Sequence, residues 1–135
     1  MILETALYVS DLDVSERFYR ELLGARTMLA DERMRGMALP GRQVLLLFVR
    51  GGSVHGDETE GGRIPGHDAQ GIQHLCFRSD DPDARVADLE RLGVAVESRV
   101  EYEGGKRSIY FRDPDGHCVE FGTESLWPWP DEANG

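Results

Sequence analysis

The sequence predicts an α+β fold made of two successive β-α-β-β-β modules, and three observations predict it. Hydrophobic spacing runs from period two to helical and back to period two, and does so twice along the chain. A helix-ending stretch recurs: Glu21-Leu22-Leu23-Gly24 matches Glu90-Arg91-Leu92-Gly93 at a shift of 69 residues, and Asp11 matches Asp81 at a shift of 70. A stretch rich in Gly and charge, Arg50 to Gln70, separates the copies. A chain of 135 residues suits one domain with a sizeable core. Module 1 is expected over about 1–50, a linker loop over 51–70, module 2 over 71–123 and a tail over 124–135.

The elements follow in order. Ile2 to Val9 alternates, with Leu3, Thr5, Leu7 and Val9 on one face and Ile2, Glu4, Ala6 and Tyr8 on the other, so it reads as a strand with a carboxylate on its second face. Ser10-Asp11 supplies a cap, Val14, Phe18, Tyr19, Leu22 and Leu23 recur at helical spacing, and Gly24 supplies a stop. Residues 25–31, 33–39 and 43–49 read as strands parted by turns at Asp31-Glu32 and Pro40-Gly41. From Arg50 to Gln70, six glycines (51, 52, 56, 61, 62 and 66) and no sustained period predict a long loop. The second copy gives a strand at Ile72–Arg78, a helix from about Pro82 to Leu92, and strands near Val94–Val100, Lys106–Arg112 and His117–Thr123. Asp113-Pro114-Asp115-Gly116 is the turn between the last two. Each helix covers one face of its strands and leaves the other to line a cleft or meet a partner.

Composition narrows the function. With 40% apolar and 30% charged residues, and with Val44–Val49 as the longest uncharged apolar run, the chain reads as soluble and has no bilayer span. Met1-Ile2-Leu3-Glu4 enters the first strand without a basic segment or an apolar signal core, and Cys76 and Cys118 lie inside strands as packed free thiols. A cytoplasmic location is expected. A net charge of -10 without a Lys/Arg cluster argues against nucleic acid and leaves a small molecule as the partner.

Parity then gathers chemistry. In the strand around His74, Leu75 and Phe77 take the helix-covered face, and His74 shares the opposite face with Ile72 and Cys76. In the last strand Val119 and Phe121 are covered, which sends Cys118 and Glu120 to the side of His74; Glu4 and Tyr8 take the same side of the first strand. Singly, such a histidine is an ordinary hydrogen-bonded residue and such a carboxylate an ordinary partner for Arg. Together, one imidazole and two carboxylates in a cleft are costly to desolvate unless a divalent cation joins them.

The chain resembles the vicinal oxygen chelate superfamily, which includes glyoxalase I, extradiol dioxygenases, and fosfomycin- and bleomycin-resistance proteins. The resemblance is carried by Leu7-Tyr8-Val9-Ser10-Asp11-Leu12 with Phe18-Tyr19 and Leu23-Gly24, by Gly71-Ile72-Gln73-His74-Leu75-Cys76-Phe77, and by Tyr110-Phe111-Arg112-Asp113-Pro114-Asp115-Gly116-His117-Cys118-Val119-Glu120-Phe121. It implies paired modules forming a cupped mixed sheet, a homodimer, and one divalent metal ion held by residues of the modules' first and last strands. His74 and Glu120 fall on two ligand positions, and Glu4 stands where many members carry His. That substitution makes the site harder and leaves Zn, Ni, Mn, Mg and Fe as candidates, while breaking the two-histidine set of an extradiol iron oxygenase. The fourth-strand Glu of glyoxalases is replaced by Leu45 or Leu46 in this chain, so Gln43, His67, water or substrate would complete the shell.

Further candidate substrate contacts are Tyr8, His67 and Trp127, the last with the alternative of interface packing. Arg107 and Tyr110 oppose each other in parity, so at most one faces the cleft. His117 is expected to serve the turn and His55 to be plain loop. The expected function is a metal-dependent, glyoxalase-like enzyme of the isomerase or lyase class, with Glu4 or Glu120 as proton carrier. The alternatives are an antibiotic-binding protein of the bleomycin-resistance type and an Fe(II) dioxygenase.

Overall fold

The computed structural model describes residues 1–130, so the predicted tail lies outside the described residues from 131 on. The element order is β1 Thr5–Val9, α1 Leu12–Leu23, β2 Arg26–Ala30, β3 Met34–Leu39 and β4 Gln43–Val49, then β5 Asp57–Thr59 and β6 Gly62–Ile64. The second copy follows as β7 His74–Arg78, α2 Pro82–Arg91, β8 Ser98–Glu101, β9 Arg107–Arg112 and β10 Cys118–Gly122, ending in a 3-10 turn at Glu124–Leu126. The modules form two four-stranded sheets of the same topology, β1-β4-β3-β2 and β7-β10-β9-β8. In each, the first and fourth strands of the copy pair in parallel and the rest are antiparallel, which is the predicted mixed character. No helix among the described residues is long and apolar enough to cross a membrane.

The chain divides into two compact units. The first comprises Met1–Gln73 with the turn Asp113–Gly116. Here α1 begins at Asp11, whose carboxylate accepts the Val14 N–H at 3.1 Å, and ends at Gly24, whose φ of 65° lets its N–H close on the Arg20 carbonyl at 3.0 Å. Its inward residues Leu12, Tyr19 and Leu22 and the sheet residues Leu7, Val9, Met37, Leu45 and Leu47 are the buried residues of this unit's core. Tyr19 is fully buried and donates its hydroxyl to Asp113 at 2.7 Å, while Asp115 accepts from the Ser10 N–H at 2.9 Å and the Ser10 hydroxyl at 2.7 Å. Burial, reinforced by Asp113, holds the Tyr19 hydroxyl firmly protonated.

The second unit comprises His74–Arg112 and the chain from His117 on. Asp81 caps α2, accepting the Ala84 N–H at 3.3 Å, and Pro82 sits in its first turn, where a missing N–H costs nothing. Leu89 is the buried anchor of α2, and Ile109, Phe111, Val119 and Phe121 are the buried apolar residues of β9 and β10, the strands against which α2 packs. Leu75 and Phe77, expected on this covered face, are only half-buried. His117 is completely buried rather than a mere turn residue.

Several boundaries differ from expectation for local reasons. Alternation alone extends the first strand to Ile2 and the later one to Ile72, but the parallel ladders begin at Thr5 opposite Leu45 and at His74 opposite Cys118. Val94–Val100 starts late as a strand because Gly93 turns at φ 70° and the Val94 N–H closes back on the Leu89 carbonyl at 2.8 Å. The loop at 51–70 contains the β5–β6 hairpin, whose three-residue strands are too short for a periodicity to register.

Candidate functional site

In the second unit the face opposite the apolar core carries the candidate chemistry. Register sets His74 beside Cys118, Cys76 beside Glu120, Tyr110 across from Glu120, and Ser108 across from Gly122. Because side chains alternate, His74, Cys76, Ser108, Tyr110 and Glu120 share one side of the sheet. A cavity of about 690 Å³ opens over them, walled by Tyr102, Leu126 and Trp127 and flanked by Glu103 and Lys106.

At its floor, His74 Nε2 lies 3.3 Å from Glu120 Oε1, with Glu120 only 7% exposed. The other imidazole nitrogen, Nδ1, is 2.9 Å from the Cys118 carbonyl oxygen. A carbonyl only accepts, so Nδ1 bears the proton, and the Nε2 of a neutral His74 turns a lone pair toward a carboxylate. Two acceptors face to face require a proton or a cation between them. The second Glu120 oxygen accepts the Ser108 hydroxyl at 2.5 Å. Burial, then Glu120, push the Cys76 thiol up to about 12. The Tyr110 hydroxyl rises to about 12 through its hydrogen bond with Tyr102, burial and Glu120, so both groups stay protonated at neutral pH. The Tyr110 ring stacks beside His74, centroids 6.4 Å apart.

A second cluster lies in the first unit. The Tyr8 hydroxyl and His67 Nδ1 share a hydrogen bond of 2.6 Å, and Phe48 stands edge-on to His67 at 4.6 Å. Burial and Asp68 push the Tyr8 hydroxyl up. His67 and Phe48 help line a smaller cavity of about 290 Å³ beside the Arg33–Asp57 ion pair. The candidates thus sort by unit: His74, Glu120, Tyr110 and Trp127 around the larger cavity of the second, and Tyr8 with His67 in the first. Arg107 pairs with Asp83 at 3.0 Å and Asp81 at 3.8 Å, which leaves Tyr110 as the member of that opposed pair that faces the cavity. Glu4 is exposed just ahead of β1. Among the described residues no group of three or more His, Cys, Asp or Glu side chains is gathered for a metal. His55 lies in the loop, where its carbonyl accepts from Arg63.

Sequence reasoning missed Ser108, Tyr102, Glu103 and Lys106. Ser108 had a usable signal, since it shares the parity of Tyr110. The other three belong to the Gly104-Gly105 turn, where no period predicts direction.

Comparison with known proteins agrees with this architecture. The family model for the Glyoxalase/Bleomycin resistance protein/Dioxygenase superfamily matches residues 1–121. A crystal structure of lactoylglutathione lyase from Agrobacterium tumefaciens is 38% identical with a TM-score of 0.85, covering 96% of this chain and 97% of that one. The metallothiol transferase FosB of Bacillus licheniformis is 34% identical over 88% of this chain and 72% of its own length. The uncharacterized protein YaeR of Escherichia coli is 35% identical over 85% of this chain and 89% of its own.

Proposed function

The chain belongs to the glyoxalase/bleomycin resistance protein/dioxygenase superfamily, and on that premise we propose that it is a metal-dependent enzyme of the glyoxalase type, acting on a small oxygenated substrate by lyase or isomerase chemistry. The observation that carries the reading is the 3.3 Å approach of His74 Nε2 to Glu120 Oε1, with Nδ1 committed to the Cys118 carbonyl. Two donors that each bind one ion at about 2.1 Å, at angles between octahedral and tetrahedral, stand about 3.0–3.4 Å apart, so the pair fits a shared divalent ion. A backbone carbonyl on the far nitrogen is the usual orienting contact of a ligand histidine.

A divalent ion bound there would polarise a substrate oxygen as a Lewis acid. Glu4 or Glu120 would carry the substrate's proton, Glu120 only with Oε1 free of the ion, since Oε2 is occupied by Ser108. The protonated Tyr110 hydroxyl, hydrogen-bonded to Tyr102, would lie beside a bound substrate, and Tyr102, Leu126 and Trp127 provide wall for it. Glu4 is retained as a further donor because it occupies, in module 1, the place of His74 at the shift of 70. One imidazole among oxygens suits Zn, Ni, Mn, Mg or Fe alike and disfavours ring-cleaving iron chemistry. A homodimer and a cytoplasmic location complete the proposal.

A second reading, sequestration of a drug-like molecule, is favoured by the aromatic walls at Tyr102, Tyr110 and Trp127. Metal analysis of protein purified without a His tag separates the two. The enzyme reading requires about one divalent ion per chain, lost in Glu120→Ala. Absence of metal from the wild type, with ligand binding intact in Glu120→Ala, would establish sequestration instead.

A further inference from the structure

Three features around Glu120 hold the carboxylate rather than touch a substrate. The Ser108 hydroxyl, itself fully buried, donates to Oε2 at 2.5 Å. The Cys76 thiol hydrogen-bonds to the same carboxylate from the adjoining strand. Position 122, directly across from Ser108 in the ladder, is glycine: a Cβ there would stand 3.0 Å from Oε2, 3.3 Å from Cys76 Sγ and 2.8 Å from Leu126 Cδ1. The conformation at 122 is not left-handed, so the glycine is needed for room rather than for backbone freedom. The Glu120 side chain therefore leans diagonally across the space over Gly122 to reach Ser108, and Oε1 alone is left toward His74.

We propose that Ser108 is a positioning residue that, with the Cys76 thiol and the open space over Gly122, locks the Glu120 carboxylate so that it serves a divalent ion through Oε1 alone. The inference rests on the metal reading above. An unheld carboxylate on a mobile side chain would divide its time among rotamers and between one- and two-oxygen binding. A carboxylate fixed at one oxygen by a buried hydroxyl meets the ion already oriented, and such orienting partners change metal affinity by about 10–100-fold.

The test is a Co(II) titration of the untagged apoprotein, followed by its visible absorption bands and by calorimetry, on wild type, Ser108→Ala, Ser108→Thr and Cys76→Ala. Circular dichroism and thermal melts confirm that each variant is folded. The expected result is a loss of about 10–100-fold in Co(II) affinity with altered band positions in Ser108→Ala, recovery of both in Ser108→Thr, and a smaller loss in Cys76→Ala. Wild-type affinity and bands in a folded Ser108→Ala overturn the proposal. Should Ser108→Ala fail to fold, Cys76→Ala, a change at the cavity lining, decides, and its wild-type affinity and bands overturn the proposal in the same way. Failure of the wild type itself to bind Co(II) overturns the metal reading first, and is distinct from either outcome.

Discussion

The two modules share a hydrogen-bonded frame, and one register row separates them chemically. In the first, Leu46 of β4 is paired with Ala6 of β1 and Gly36 of β3. In the second, the matching strand β10 places Glu120 between Cys76 of β7 and Tyr110 of β9. The helix-covered faces are alike, with Leu7, Val9, Leu45 and Leu47 buried in one and Ile109, Phe111, Val119 and Phe121 in the other. Burial of those faces holds each sheet together, so the opposite row is free to differ without unfolding the module. The row holding aliphatic groups and glycine carries no ionisable group, while the row holding Cys, Glu and Tyr carries the candidate site. The same comparison separates Leu45 from Leu46: Leu45 is turned into the core at 1% exposure, and Leu46 lies on the opposite face.

The largest effect should come from breaking that row. Glu120→Ala is expected to abolish divalent-ion binding in calorimetry, whereas Leu46→Ala at the matching position should leave it unchanged. A fall in affinity in Leu46→Ala would show that the row of the first module also takes part.

The helices differ in their anchors, and stability measurements sharpen that contrast. Leu89→Ala in α2 opens a cavity in an apolar core and should cost about 2–5 kcal/mol by denaturant unfolding. Tyr19→Phe in α1 keeps the ring but removes the hydroxyl from the buried Asp113, for an expected cost of about 1–3 kcal/mol. Equal costs would mean that the Tyr19 hydrogen bond does more in the first unit than its packing suggests.

The smallest effect is expected at the β5–β6 hairpin, where Arg33 donates to Asp57 at 2.6 Å. That hydrogen bond and the guanidinium charge hold the half-buried Asp57 carboxyl below the usual range. A carboxyl with a lowered folded value contributes above the ordinary carboxylate range and loses its contribution as pH falls through the lowered value. Arg33→Ala should leave the melting temperature within error while speeding amide exchange in 57–64 at neutral pH. Acidification should lower the protection factors of the same amides in the wild type, after the intrinsic slowing of exchange at low pH is divided out.

Much of this was legible in the sequence because it depends on local rules. Asp11, Gly24, Asp81 and Pro82 bound the helices through their own chemistry, and parity alone put His74 and Glu120 on one face. Ladder limits at Thr5 and His74 were not legible, because they are set by partner strands 40 and 44 residues away, at Leu45 and Cys118. Nor was the hairpin at 57–64. Parity also left the choice between Arg107 and Tyr110 open. Asp81 and Asp83 at the start of α2 settle it by drawing the guanidinium to their side. Ser108 was readable by parity but unremarkable as a serine until its diagonal reach to Glu120 was seen.

X-ray absorption on the zinc- or cobalt-loaded protein tests the central claim most directly, since it counts the kinds of donor around the ion. The proposal requires a single imidazole shell that disappears in His74→Ala, with oxygen donors otherwise and no sulfur. A sulfur shell at about 2.3 Å would make Cys76 or Cys118 a ligand, and an imidazole shell that survives His74→Ala would place the ion elsewhere. Either result would contradict the assignment of His74 and Glu120 as the core of an oxygen-rich site.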